Sequence, residues 1–344
     1  QIMNQDFAKT AEWHNVDAAL FRSEIFPLSK PAVLRGVIRD WPAVQAGLKS
    51  PRALADLLKE CDLGRTVETY VADAAIGGRF FYRDDLRSFN FERRPEQIGA
   101  AIERMLTHLD DPNPPAIYVQ STPVPEFMPE FGRRHALQLM NPAVVPRIWI
   151  GNAVTVTTHY DLSDNIACVV AGRRRFTLFP PDQLANMYMG PLEFTPGGAP
   201  VSLVDPEKPD LERYPRFAEA MAAAETAELE PGDAIFIPYS WWHHVRSLTP
   251  FNVLVNYWWN DARVPLASPY DCLLHAILAL REMPDNQRAT WRTMFDYHVF
   301  KSHGEPLGHL PPENRGGLGP MTIERARHLK ATLLRALTRT IAGQ

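Results

Sequence analysis

Thirty-one prolines are spread through this 344-residue chain, and they constrain its fold more than any other feature. Each removes a backbone N–H and blocks a helix interior, so a bundle of long helices is excluded over most of the chain and turn-rich β structure is expected. At roughly 100–200 residues per domain, the length allows one large domain or two. A composition of 45% hydrophobic and 22% charged residues suits an ordinary globular chain. The formal charge of -4 gives no support to nucleic-acid binding through a basic surface. The longest apolar runs, such as 272–280, fall far short of the roughly 20 residues of a membrane span. Residues 1–18 show no basic-then-apolar leader. The expected setting is cytoplasmic, with neither membrane nor nucleic acid as partner. Cys61, Cys168 and Cys272 are too sparse for a disulfide framework and read as buried thiols.

The texture changes twice along the chain. Residues 1–110 mix helices and short strands: Ser50-Pro51 starts a helix bearing Leu54, Leu57 and Leu58, and 96–109 places Ile98, Ile102, Met105 and Leu109 on one helical face. Between these helices, 66–72 and 78–82 read as strands. Residues 111–262 carry short β-branched and aromatic runs broken by Pro, Gly and Asp, the pattern of a sandwich or barrel. The candidate strands are 116–120, 147–150, 154–161, 166–170, 174–179, 234–237 and 252–259. Ala171-Gly172 is expected to turn one hairpin. The long insertion 181–230 holds one helix near 217–227. Residues 263–344 are helical again, with Ser268-Pro269 as cap and first turn, Leu273, Leu274, Ile277 and Leu278 as an apolar face, and a last helix from about 322. These apolar helices either pack within the monomer or join a homodimer.

The chemistry resides in the histidines. With 11 His and 40 acidic residues, about one H-x-[DE] triplet is expected by chance. Three occur, at His108, His159 and His303. His108 and Asp110 fall at a helix end, where i and i+2 diverge. His303 and Glu305 fall in a Gly/Pro-rich loop. His159 and Asp161 end a period-2 segment, sharing a face with Thr155 and Thr157. A third ligand is offered by Ile235–Ile237, Pro238, Trp241 and Trp242 leading into His243 and His244. Two imidazoles and one carboxylate form the facial triad of non-haem Fe(II) oxygenases, with half the coordination sphere open. The same three ligands also suit zinc with a bound water, as in hydrolases, or a buried polar network without metal.

The ordered motifs Thr155–Asp161, Asn165, Gly172-Arg173-Arg174-Arg175-Phe176, Leu178–Gln183, Pro231–Pro238, Trp241–Val245 and Asn256-Tyr257-Trp258 resemble the cupin-like JmjC hydroxylases of the factor-inhibiting-HIF-like type. Pro31–Gly36 and Asp40–Ala43 resemble that family's entry segment, so the likeness runs from about residue 20 to 262. It implies a mainly β fold with flanking helices around a double-stranded β-helix (jelly roll), and an Fe(II)- and 2-oxoglutarate-dependent dioxygenase hydroxylating a protein side chain or small molecule. By the motifs, His159, Asp161 and His243 are the implied iron ligands. Tyr118, Asn165, Arg174 and Asn256 are the implied cosubstrate residues, and Trp258 lies beside the metal in the substrate pocket.

Arg174 also follows from chemistry. A buried dianionic oxoacid needs a cation at its far end, arginine can hold a carboxylate with two parallel donors, and Arg174 shares its strand face with Phe176 and Leu178. Two residues depart from the family pattern, which usually has lysine at Arg174 and threonine at Val156. Three functions therefore stand at this point: an active oxygenase, a catalytically silent cupin-fold binding or scaffold protein, and a zinc hydrolase.

Overall fold

The computed structural model describes residues 7–261 and 267–342, in two compact units, 1–260 and 261–344. In the first unit the strands are β1 (Ala8–Lys9), β2 (Ala11–His14), β3 (Ala32–Arg35), β4 (Thr66–Ala72), β5 (Glu92–Gln97), β6 (Ala116–Pro123), β7 (Pro146–Gly151), β8 (Thr155–His159), β9 (Asp164–Ala171), β10 (Arg174–Phe179), β11 (Glu225–Leu229), β12 (Ala234–Ile237), β13 (Trp242–Ser247) and β14 (Asn252–Trp259). They form a five-stranded sheet ordered β1-β11-β10-β13-β8 and a nine-stranded sheet ordered β2-β3-β12-β9-β14-β7-β6-β4-β5. Packed around a shared interior, these sheets are the jelly-roll core of a double-stranded β-helix. Strands β2 to β5 belong to the larger sheet, so residues 1–110 contribute to the β structure as well as flanking it.

Side-chain alternation divides the larger sheet into two faces. Ile148 and Ile150 of β7, Ile166, Cys168 and Val170 of β9, and Val253 and Val255 of β14 pack outward. They meet Leu54 and Leu58 of the helix Pro51–Cys61 and Ile98, Ile102 and Met105 of the helix Ile98–Thr107. The intervening Ala167, Val169 and Leu254 face inward onto Phe176, Leu178 and Val245 of the smaller sheet, with Trp149 packed beside them. Any residue of inward parity near the open end of this interior is therefore delivered to one cavity. Gly172 makes the β9–β10 turn at φ +78°, and a Cβ there would lie 2.1 Å from Asn252 Oδ1, so no other residue fits.

Several local expectations change. Residues 78–82 form only isolated bridges at Arg79 and Tyr82, lying against strands that supply no continuous partner. The helix expected over 217–227 ends at Ala222, because Glu225–Leu229 pairs antiparallel with β10 instead. The helix expected from 96 begins at Ile98, since Glu92–Gln97 is an edge strand, where Pro95 is tolerated. Strand β13 was not among the expected strands. Cys61 and Cys168 are buried, but Cys272 is exposed, on a helix whose described residues are all at least partly accessible.

The second unit contains the helices Pro269–Leu280, Asp285–His298 and Ile323–Ala342. Ser268 caps the first by accepting from Asp271 N at 3.2 Å. Leu273, Leu278, Trp291 and Met294 are exposed along the first two helices. Among the described residues no helix is long and apolar enough to cross a membrane.

One buried histidine away from the cavity holds a helix in place. The helix Pro42–Lys49 has no side-chain cap from Trp41. Ala43 N donates instead to His135 Nε2 at 3.0 Å, while His135 Nδ1–H donates to Phe131 O at 2.7 Å. A ring that donates at one nitrogen and accepts at the other is neutral, and burial pushes the His135 pKa below its usual value. The unfolded chain takes up this proton near pH 6.5. The His135 contribution is therefore present above that pH and lost as pH falls. His135→Ala is expected to cost about 2 kcal/mol at pH 7.5 and to give a shallower decline of the urea midpoint between pH 7.5 and 5.5 than wild type. Parallel declines would refute this role.

Candidate metal centre

Strands β8 and β13 are antiparallel neighbours, and their register sets His159 directly across from His243. The imidazole centroids lie 4.2 Å apart. A register shift between His243 and Val245 re-aims the strand at this point. Asp161 is not part of the strand, as the period-2 pattern suggested: β8 ends at His159. Asp161 sits in the following turn, anchored where Ser240 N donates to its backbone oxygen at 3.0 Å. Its carboxylate nevertheless reaches both rings, with Oδ2 3.4 Å from His243 Nε2 and 3.9 Å from His159 Nε2. One ligand atom from each residue lies within 4.8 Å of the other two.

The hydrogen bonds behind the rings determine what these atoms offer. His159 Nδ1 lies 2.9 Å from Thr157 O, and His243 Nδ1 lies 3.0 Å from Trp241 O. A carbonyl only accepts, so each Nδ1 carries a proton and each Nε2 is the nitrogen turned toward the shared point. Burial, aided by His243, pushes His159 down to about 4, so it is neutral at physiological pH. Burial alone would raise the Asp161 pKa, but His243, His159 and Trp258 outweigh it and hold the carboxyl below its usual range. Asp161 Oδ2 is buried without a hydrogen-bond partner. Two imidazole nitrogens and a carboxylate oxygen converge on one point, and these are donor types that a divalent metal takes. The donor set fits a divalent metal.

The triad opens onto a cavity of about 130 Å³ that also receives Tyr118, Asn165, Arg174, Asn256 and Trp258. All the candidate site residues named from the sequence therefore line one space. Arg174 is 2% exposed, and its Nε and Nη2 have no hydrogen-bond partner. Those two nitrogens form one edge of the guanidinium, the edge that takes a carboxylate side-on. Burial lowers the Arg174 pKa and the neighbouring Tyr118 opposes it, yet a guanidinium stays charged. Burial pushes the Tyr118 hydroxyl up to about 12, keeping it a neutral donor. The flanking arginines point away: Arg173 and Arg175 pair with Glu228 at 3.0 and 2.7 Å. Val156 also lines the cavity and adds no hydrogen bond.

The other histidines lie outside this centre. His244 is buried across from Thr177, and its parity turns it away from His159 and Asp161. His108 pairs with Asp111 at 3.0 Å rather than with Asp110. Among the described residues, His159, Asp161 and His243 are the one group of at least three such side chains close enough to hold a metal.

Two contributions went unrecognised in the sequence. Trp149 lines the cavity and donates to Asn256 Oδ1 at 2.7 Å. Its inward parity between Ile148 and Ile150 was the available signal. Pro196, Gly197, Ala199 and Val201 roof the cavity from the long insertion. That roof is tied down where Tyr70 Oη and Arg93 Nη2 donate to Pro196 O at 3.2 and 3.1 Å, contacts between segments more than 100 residues apart that no periodicity reveals.

Residues 18–263 match the family described as the cupin-like domain, and the chain belongs to that family. It is similar to "Lysine-specific demethylase JMJ31" of Arabidopsis thaliana, 27% identical over 71% of this chain and 48% of that protein. It is similar to "Jumonji C domain-containing protein 5" of Drosophila melanogaster, 29% identical over 70% of this chain and 57% of that protein. The chain thus spans about half the length of these two relatives. It is also similar to the human "Bifunctional peptidase and (3S)-lysyl hydroxylase JMJD7", 28% identical over 75% of this chain and 85% of that protein.

The centre is expected to bind one Mn(II) per chain, read by calorimetry or by the electron paramagnetic resonance of the free ion. Asp161→Ala and His243→Ala should each weaken that binding by about 100-fold or more, beyond the loss of a supporting contact. His244→Ala should leave it within about 3-fold of wild type. Equal losses at His243 and His244 would refute the ligand assignment.

Proposed function

We propose that the protein is an Fe(II)- and 2-oxoglutarate-dependent dioxygenase that hydroxylates a protein side chain or a small molecule. One observation carries this reading: a His-Asp-His group that could hold a metal shares its cavity with a buried guanidinium, one edge of which has no hydrogen-bond partner. A divalent ion, the Asp161 carboxylate and Arg174 leave two positive charges in a space of low polarity, and a dianionic oxoacid balances them.

Bound iron and 2-oxoglutarate would supply, with dioxygen, an oxidant able to hydroxylate a C–H bond, one oxygen atom going to the product and the other to succinate as the oxoacid loses carbon dioxide. The chain's own residues prepare the site. His159, Asp161 and His243 would hold the metal from one side and leave the other side to ligands. Arg174 and Tyr118 would hold the distal carboxylate, the two guanidinium donors offsetting the hydroxyl that Val156 lacks. Asn165 and Asn256 would line the oxoacid, and Trp258 would stand beside the reacting carbon. The roof residues Pro196, Gly197, Ala199 and Val201 would limit the access of bulk water to this space. The names of the Arabidopsis and human relatives concern lysine, which supports a protein side chain as acceptor.

Protein purified without oxygen and then given Fe(II), 2-oxoglutarate and air is expected to release succinate, and Asp161→Ala to release none. Arg174→Ala should raise the KM for 2-oxoglutarate by about 10-fold or more, through loss of a charge-assisted pair. Metal binding without turnover of any oxoacid would favour the binding-protein reading instead.

For the second unit we propose that the exposed apolar faces of its first two helices join two copies of the chain. Leu278 is 78% exposed, with Trp291 and Met294 accessible on the next helix. Sedimentation equilibrium should show a dimer that Leu278→Glu with Trp291→Glu converts to monomer. A wild-type monomer at micromolar concentration would refute it.

A further inference from the structure

We infer that Trp149 is a positioning residue that fixes the hydrogen-bonding polarity of the oxoacid pocket, by locking two buried carboxamides so that Asn165 turns its N–H₂ toward the cavity. This rests on the proposed oxoacid site, but the argument starts from an atom that can act in only one way.

An indole N–H donates and never accepts. Trp149 Nε1 lies 2.7 Å from an atom of the Asn256 carboxamide, so that atom is the oxygen. The other end of Asn256 is then the Nδ2 group, a donor, and it lies 3.1 Å from the Asn165 carboxamide. The atom it meets must accept, so it is Asn165 Oδ1. The end of Asn165 left to the cavity is Nδ2. One donor thus sets the orientation of two amides that are each nearly symmetrical in shape and otherwise free to turn over. The three residues sit on neighbouring strands β7, β14 and β9, whose ladders hold the relay in register. Asn256 and Asn165 are buried, where leaving an amide group unpaired is costly.

The indole is itself held. Its plane lies 27° from that of Tyr118 at a centroid distance of 6.1 Å, and Trp258 meets it edge-on at 5.7 Å and 87°. Trp149 therefore touches the distal-carboxylate side, the metal side and the asparagine pair at once. With Asn165 reversed, its carbonyl would face the negatively charged oxygens of an oxoacid. With Trp149 in place, a donor faces them.

The test uses the full chain loaded with Mn(II), and 2-oxoglutarate as the titrant in calorimetry. Trp149→Phe keeps most of the ring packing and removes the donor. It is expected to weaken 2-oxoglutarate binding by about 10-fold, the loss of one hydrogen bond, while Mn(II) affinity stays near wild type and the thermal midpoint falls by no more than about 4 °C. In an Asn256→Ala background the same change should add less than about 2-fold, because both variants break one relay. Additive losses would mean that Trp149 acts by bulk alone and would overturn the inference. Side-chain amide signals in protein ¹⁵N-labelled at asparagine give a readout independent of the ligand. The Asn256 and Asn165 NH₂ resonances should move in Trp149→Phe even without oxoacid, and unmoved resonances would also overturn the inference. Wild type that shows the locked amides but binds no oxoacid would leave the relay standing and sink the oxygenase reading.

Discussion

The antiparallel register of Thr155–His159 against Trp242–Ser247 is the constraint on which the rest of this site depends. It sets His159 opposite His243, and through the next ladder it sets His243 beside Leu178 and Ser247 beside Arg174. Side chains alternate along a strand, so Arg174, Phe176 and Leu178 share the inward face with both histidines. A slip of one residue would send every one of them to the other face. The four residue steps from Arg174 to Leu178 correspond to roughly 13 Å along the strand. Cation site and guanidinium thus stand at two positions on one rigid ladder, and the sheet itself sets the span between them.

The interior that surrounds this ladder is otherwise apolar, which gives its few polar atoms their meaning. Ala167, Val169, Phe176, Leu178, Val245 and Leu254 fill the space between the sheets. Within it lie a carboxylate oxygen and two guanidinium nitrogens, all buried and lacking hydrogen-bond partners. Leaving such groups unpaired costs several kcal/mol in a folded chain. A core built for stability alone would have replaced them with methyl groups. The unmet demand is for positive charge beside Asp161 and negative charge beside Arg174. The asparagine relay shows the opposite arrangement, with each carbonyl oxygen already engaged and an N–H₂ left over.

Much of this arrangement was legible along the chain. The period-2 runs marked most of the core strands, and alternation pointed Arg174 inward while Arg173 and Arg175 went to Glu228. The alanine-rich stretch after Phe217 favours helix over more residues than form it, since Glu225–Leu229 gains more by pairing with β10. Strand β13 was obscured by Pro238 and by Ser240 at φ +61°, a turn whose purpose is visible only where Ser240 N meets Asp161 O. The roof gave no periodic signal, because it is held by single hydrogen bonds to Tyr70 and Arg93 rather than by a repeating face.

By itself, the sequence determined the chemistry: two imidazoles, one carboxylate, one arginine and the asparagines, on segments whose alternation assigns each a face. Those properties are local, set by residue type and by the two-residue period of a strand. Only the tertiary structure decided that His243 meets His159 across one ladder, that Asp161 reaches the centre from a turn, and that Trp149 orients two amides beside the cavity. These outcomes depend on strand register and on partners up to about a hundred residues away, because the direction in which a side chain or an amide turns is settled by what packs against it.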